Sequence, residues 1–212
     1  IMAAKEFKLT AERLAELEQE LNHKKVAIHN AIQTNGYVID DEWAQFLADN
    51  HFLVGVSLDG PREIHDLNRL DAKGNGTYNR VMRAIATLKK HGAEFNILTV
   101  VTSATCRSIR KTYSFFQRNG LDYQQYIPCL DPLGEERGGH DYSLTCEAFG
   151  QYLKDLFDCW YEDARKGRLT YNRYFTKVMQ MSPREFRKQM LQSDKMAQNQ
   201  SILEYAGWMY PE

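Results

Sequence analysis

The chain has 212 residues, 43% hydrophobic and 26% charged, with a formal net charge of −1. That length allows one large domain, or one and a half, with a sizeable core, and the balanced charge gives no general polyanion surface, so nucleic acid is not the default partner. No apolar run approaches membrane-spanning length and no signal-peptide core is visible, so a cytoplasmic protein is expected. The first residue is Ile1, which suggests sequence lost upstream or a start at Met2.

Residues 1–24 predict an amphipathic helix. Leu9 and Leu14 bracket Thr10 as a hydrophobic staple around an N-cap, and Leu14, Leu17 and Leu21 share one face. A strand over about 26–32 follows and ends in Gln33-Thr34-Asn35-Gly36. Asp40-Asp41-Glu42 then opens a helix, its acids suited to the positive end of the helix dipole, with Trp43, Phe46 and Leu47 as the buried stripe. The next strand, 52–57, runs straight into Ser57, Leu58, Asp59, Gly60 and Pro61. A polar loop to Thr77 follows, carrying His65, Asp66 and Arg69. The ends of parallel strands are where α/β folds place ligands, so both polar strand ends are candidate site elements.

A helix over about 78–91 buries Val81, Ile85 and Leu88, and Gly92 suits its C′ position. The stretch 95–101 is nearly all apolar and β-branched, as expected for a strand covered on both faces. A helix over about 108–119 closes at Gly120, a fourth strand spans about 123–130, and a long helix over about 146–166 turns Phe149, Leu153, Leu156, Phe157 and Trp160 to one side. Strand and helix thus alternate about four times, which predicts a parallel sheet with right-handed crossovers. The character changes after Val178; Ser182-Pro183-Arg184-Glu185 reads as the start of a helical tail.

Specific catalytic motifs are missing. Cys106, Cys129, Cys146 and Cys159 lie far apart in sequence, so their spacing predicts structural thiols and no metal site. There is no HExxH, GxSxG or phosphate-loop pattern.

The strand ends do carry a family resemblance. Ile32-Gln33-Thr34-Asn35-Gly36, Asp40-Asp41-Glu42-Trp43, and Phe52-Leu53-Val54-Gly55 through Asp59-Gly60-Pro61 resemble the anaerobic sulfatase-maturating enzymes. Those are radical S-adenosylmethionine (SAM) enzymes with a cysteine-rich SPASM domain. Lys89-Lys90-His91-Gly92, Cys129-Leu130-Asp131-Pro132-Leu133, Leu156-Phe157-Asp158 with Trp160-Tyr161-Glu162-Asp163, and Arg173-Tyr174-Phe175 continue the match over roughly residues 25–178. The resemblance implies a partial (β/α)6 radical-SAM barrel over 1–178 and a divergent helical tail over 179–212 in place of the cysteine-rich domain. It implies S-adenosylmethionine and [4Fe–4S] clusters as cofactors and a sulfatase polypeptide as partner. The reaction implied is oxidation of the sulfatase's cysteine or serine to formylglycine by a 5′-deoxyadenosyl radical. The CxxxCxxC motif, the Gly-Gly-Glu-Pro stretch and the auxiliary-cluster cysteines of that family are absent from this sequence. An interior fragment, inactive alone and self-associating through exposed strand edges, is therefore expected.

The resemblance and the chemistry together assign cofactor-binding roles and no catalytic residue. Ser57 donates to the carboxylate of the methionine moiety and Arg69 pairs with it, the alternative being a solvated loop arginine. Asp59 shapes the turn or bonds the ligand. Gln33, Thr34 and Asn35 offer donors and acceptors at the neighbouring strand end, or Asn35-Gly36 makes only a tight turn. Leu130 walls the adenine or is a plain core leucine. A cofactor-free peptide-binding module of α/β fold is the competing reading.

Overall fold

A computed structural model describes residues 4–168 and 170–175. Its helices are α1 (Ala4–Leu21), α2 (Asp41–Asp49), α3 (Arg62–His65), α4 (Tyr78–His91), α5 (Ile109–Arg118) and α6 (Cys146–Arg165). Its strands are β1 (Ala31–Thr34), β2 (Leu53–Ser57), β3 (Phe95–Val101), β4 (Tyr123–Pro128) and β5 (Tyr171–Asn172). The strands form one parallel sheet in the order β1-β2-β3-β4-β5. Each strand lies beside its predecessor with no reversal of order. That is the layout of a singly wound β/α sheet, not of a doubly wound one with its switch point. The tail expected over 179–212 lies outside the described residues.

The chain divides into two compact units: residues 1–56 with 79–95, and residues 57–78 with 96–212. In the first, β1 pairs with β2 in parallel, Gln33 opposite Gly55 and Thr34 opposite Val56. Helix α2 begins where Asp40 accepts a hydrogen bond from the Trp43 N–H at 2.9 Å and buries Ala44, Phe46 and Leu47. Helix α4 buries Val81, Ala84, Ile85 and Leu88 at helical spacing and ends at Gly92, whose φ of 69° suits the left-handed C′ position. Two expectations fail here. Helix α1 starts at Ala4 and runs through Thr10, so Thr10 is not its N-cap; the alanine, lysine and glutamate before it are good helix formers. The strand expected at 26–32 forms later, at Ala31–Thr34. Asn22 explains the delay, because its side chain bonds both the N–H and the C=O of Val26. That holds the segment as an extended lead-in, with Val26 60% and Ile28 46% exposed.

In the second unit β3 pairs with β4, Leu98 opposite Gln125 and Val100 opposite Ile127, and β4 pairs with β5. Alternation along β4 sends Gln124 and Tyr126 to the helix side, each 1% exposed. Tyr126 packs against Phe116 of α5 and Tyr152 of α6, with ring centroids 6.4 and 5.9 Å apart. Two elements had no expectation: the one-turn helix α3, and β5, whose two residues are too few to show any periodicity.

Candidate functional site

The C-terminal end of β2 is built around Asp59. Its backbone leaves the sheet after Leu58, whose N–H still bonds the Leu98 carbonyl at 3.0 Å. The Asp59 residue is 5% exposed. Arg69 grips its carboxylate with a two-pronged fork, Nε to Oδ2 at 2.6 Å and Nη2 to Oδ1 at 3.1 Å. The backbone N–H of Val100 on β3 donates to the same Oδ1 at 2.9 Å. Three charge-assisted bonds therefore fix one buried carboxylate to a loop and to a strand. The Arg69 side chain remains 24% exposed, and its Nη1 makes no hydrogen bond among the described residues.

The loop from Asp59 to Thr77 is held from within. His65, fully buried, accepts at Nδ1 from the Asp59 N–H at 3.3 Å. Its Nε2 lies 3.1 Å from Thr77 Oγ1, and that hydroxyl donates to the Arg69 carbonyl at 2.9 Å. With the hydroxyl proton so used, Nε2 must carry the ring proton and Nδ1 must be bare, which defines a neutral imidazole. Burial pushes the His65 pKa below its ordinary value, against the opposing pull of Asp59. Asp66 accepts from the N–H of Tyr78, the first residue of α4, at 2.9 Å. Gly76 makes room for that carboxylate: a Cβ there would stand 2.2 Å from it. His65 and Asp66 are thus loop anchors.

Of the other sequence-derived residues in this unit, Ser57 is half-buried at the strand end, its hydroxyl unbonded among the described residues. Leu130 is 44% exposed in the loop after β4, which stops at Pro128, two residues short of the expected end. In the other unit Gln33 and Asn35 are exposed. Thr34 Oγ1 accepts from the Gly36 N–H at 3.1 Å and Asn35 Oδ1 from the Tyr37 N–H at 3.0 Å. Gly36, at φ 70°, turns the chain past Ala84 and Val81, whose atoms would lie 3.5 and 3.7 Å from an added Cβ. The structure therefore joins Arg69 to Asp59 and gives Thr34 and Asn35 turn bonds. The sequence reading gives Arg69 to the ligand carboxylate and Asp59 to the turn or the ligand, and does not pair the two. The signal for their pairing is an acid at a buried strand end followed by a lone arginine in the same loop.

These groups match S-adenosylmethionine in kind: a guanidinium edge and a hydroxyl for its carboxylate, and an exposed leucine for its adenine. The thiols do not match a cluster. Cys106 is buried and points at the Ser103 carbonyl, Cys146 is exposed, and burial raises the pKa of Cys129 and Cys159. No three His, Cys, Asp or Glu side chains among the described residues are grouped to hold a metal.

A singly wound parallel sheet with polar groups at its strand ends is a β/α fold of the kind whose ligands sit at the C-terminal ends of the strands. The radical SAM superfamily domain matches residues 3–116, and the chain belongs to that superfamily. It is 48% identical over 180 residues to a cysteine-type anaerobic sulfatase-maturating enzyme of Clostridium perfringens (strain 13 / Type A), a match covering 85% of this chain and 48% of that protein. It is 35% identical over 150 residues to a serine-type anaerobic sulfatase-maturating enzyme of Bacteroides thetaiotaomicron, over 64% of this chain and 36% of that protein. The structure of native anSMEcpe with bound AdoMet and Kp18Cys peptide superposes with a TM-score of 0.77 at 48% identity, over 80% of this chain and 47% of that one. The chain thus spans about half the length of the curated relatives it matches.

Proposed function

We propose that this chain is the barrel portion of a radical SAM enzyme that oxidises an active-site cysteine or serine of a sulfatase polypeptide to formylglycine. The observation that carries the reading is the Asp59–Arg69 fork beside Ser57, at a ligand-bearing strand end of a radical SAM domain. The higher identity to a cysteine-type than to a serine-type relative supports a cysteine as the target. A cytoplasmic setting goes with this reading.

When bound, the cofactor supplies the hydrogen-abstracting chemistry, and the protein's work is positional. Asp59 holds Arg69 so that its outer Nη1 edge faces the cofactor carboxylate. Ser57 adds a hydroxyl donor and Leu130 an apolar wall for adenine. The chain alone binds cofactor without turnover, its thiols being dispersed.

Titration of S-adenosylmethionine into the parent chain and two variants tests this. Loss of an arginine–carboxylate hydrogen bond costs about 1.5–3 kcal/mol, so Arg69→Ala is expected to weaken binding about ten- to hundredfold. Arg137→Ala, in the exposed loop after β4, is expected to change it little. Equal effects from both variants, or no binding by the parent at millimolar ligand, would sink the assignment.

A further inference from the structure

A second cationic group stands on the other flank of the same unit. Arg173 follows directly on β5 and its Nη1 donates to Gln125 Oε1 on β4 at 3.1 Å. Gln125 does not face the helices. Gln124 and Tyr126, the neighbours of Gln125, are each 1% exposed beneath α5 and α6, so Gln125 emerges on the opposite face of the strand. There it shares register with Leu98, and the half-buried Ile127 shares register with the half-buried Val100. No residue of β3 or β4 is charged. The half-buried Arg173 therefore sets a formal charge beside an uncharged strand, and no carboxylate pairs with it among the described residues.

A half-desolvated guanidinium without a counter-ion is costly unless an anion completes it. The amide beside it makes the demand more specific. Arginine only donates, so Gln125 must turn its oxygen to Arg173, which leaves its Nε2 hydrogens out of that bond. The remaining guanidinium N–H groups and the amide N–H groups form a cluster of donors with no acceptor among the described residues. That array complements a carboxylate.

We propose that Gln125 and Arg173 form a subsite for a carboxylate of the bound polypeptide. This deepens the reading above and rests on it. The cofactor's own carboxylate is the other source of such a group, and the sheet argues against it. Arg69 is tied through Asp59 to β2 and β3, whereas Arg173 follows β5. The Arg173 guanidinium reaches back to Gln125 on β4, one strand spacing from β3, and Gln125 shares register with Leu98, two residues short of the Val100 that holds Asp59, so about 8 Å separates the two anchor points, more than one carboxylate spans. The anion at Arg173 thus belongs to a second ligand, and an acidic side chain of the substrate peptide fits.

The test uses two fluorescein-labelled cysteine peptides, one with glutamates flanking the cysteine and one with glutamines there. Anisotropy measures their binding to the 212-residue chain, and S-adenosylmethionine binding is measured on the same samples. The parent is expected to prefer the glutamate peptide about tenfold. Arg173→Gln should remove that preference, and Arg173→Lys should keep part of it, while cofactor affinity stays at the parental value in both. Circular dichroism melts establish that the variants fold. Equal binding of the two peptides by the parent overturns the subsite while leaving the wider reading in place. So does a loss confined to S-adenosylmethionine in Arg173→Gln, which moves the anion to the cofactor. Failure of the parent to bind S-adenosylmethionine or either peptide overturns both readings together.

Discussion

Asp59 and Arg69 are ten residues apart in sequence, yet each is defined by the other. Removing the charge of Asp59 leaves Arg69 facing a neutral amide and takes the best acceptor from the Val100 N–H. Arg69 is only 24% exposed, so little solvent compensates. Asp59→Asn is expected to destabilise the chain by about 2–3 kcal/mol, below the range for a fully buried pair. Urea unfolding of parent and variant measures it; a change under about 0.5 kcal/mol would mean the fork is ornamental. His65 gives the second prediction at this scale. Its pKa is lowered by burial from 6.5. The unfolded chain therefore takes up a proton at His65 before the native chain does. Stability from this group is full above pH 6.5 and is lost as the pH falls below it. The carboxylates whose pKa is lowered, Asp41, Glu63 and Asp131, titrate below their ordinary values, so between pH 6.5 and 5 the histidine signal stands apart from theirs. His65→Gln is expected to be less stable at pH 7.5 but to show a flatter decline over that interval, read from denaturation midpoints at each pH.

The elements differ in how openly they announce themselves. Helix α4 and strand β3 fall at the expected bounds, because Gly92 marks the end of one and an unbroken apolar run makes the other. Strand β1 was misplaced because Val26 and Ile28 look like strand residues, and only the capture of Val26 by Asn22 keeps them out of the sheet. Helix α1 was started too late because a serviceable N-cap pattern at Thr10 is overridden by helix formers before it. The same limit governs the site. The ends of β1 and β2, at Thr34 and Ser57, were legible. The pairing of Asp59 with Arg69 was not, because loop conformation has no period to read. Gly76 shows how a loop residue can decide a helix start. Its missing Cβ lets the Asp66 carboxylate reach the Tyr78 N–H at the head of α4. Gly76→Ala is expected to cost about 1–2 kcal/mol, the scale of a lost cap. The loss should be much smaller in an Asp66→Ala background, where there is no carboxylate to displace. Additive losses in that double-mutant cycle would show that Gly76 acts through something else.

At the scale of the molecule, the sheet ends matter most. Among the described residues no strand pairs with the outer edge of β1, and Val26 and Ile28 in the lead-in to it are 60% and 46% exposed. Unpaired edges with apolar surroundings invite pairing with another copy. Sedimentation velocity is expected to show a weight-average coefficient that rises with concentration. A single monomeric boundary across a hundredfold range would count against it.

The bonds that stitch residues 59–77 together have a further consequence for recognition. Most of their donors and acceptors, His65, Asp66, Arg69, Thr77 and Tyr78 among them, lie within one short stretch of chain, with links outside it to Val100 and, through Glu63, to Lys111. Such a loop takes its shape during folding, without waiting for a ligand. A molecule arriving at the rim meets a rigid surface and loses little affinity to ordering it. Encounter is then governed by diffusion and fit, and substitutions in this loop should be felt in how long the ligand stays more than in how fast it arrives.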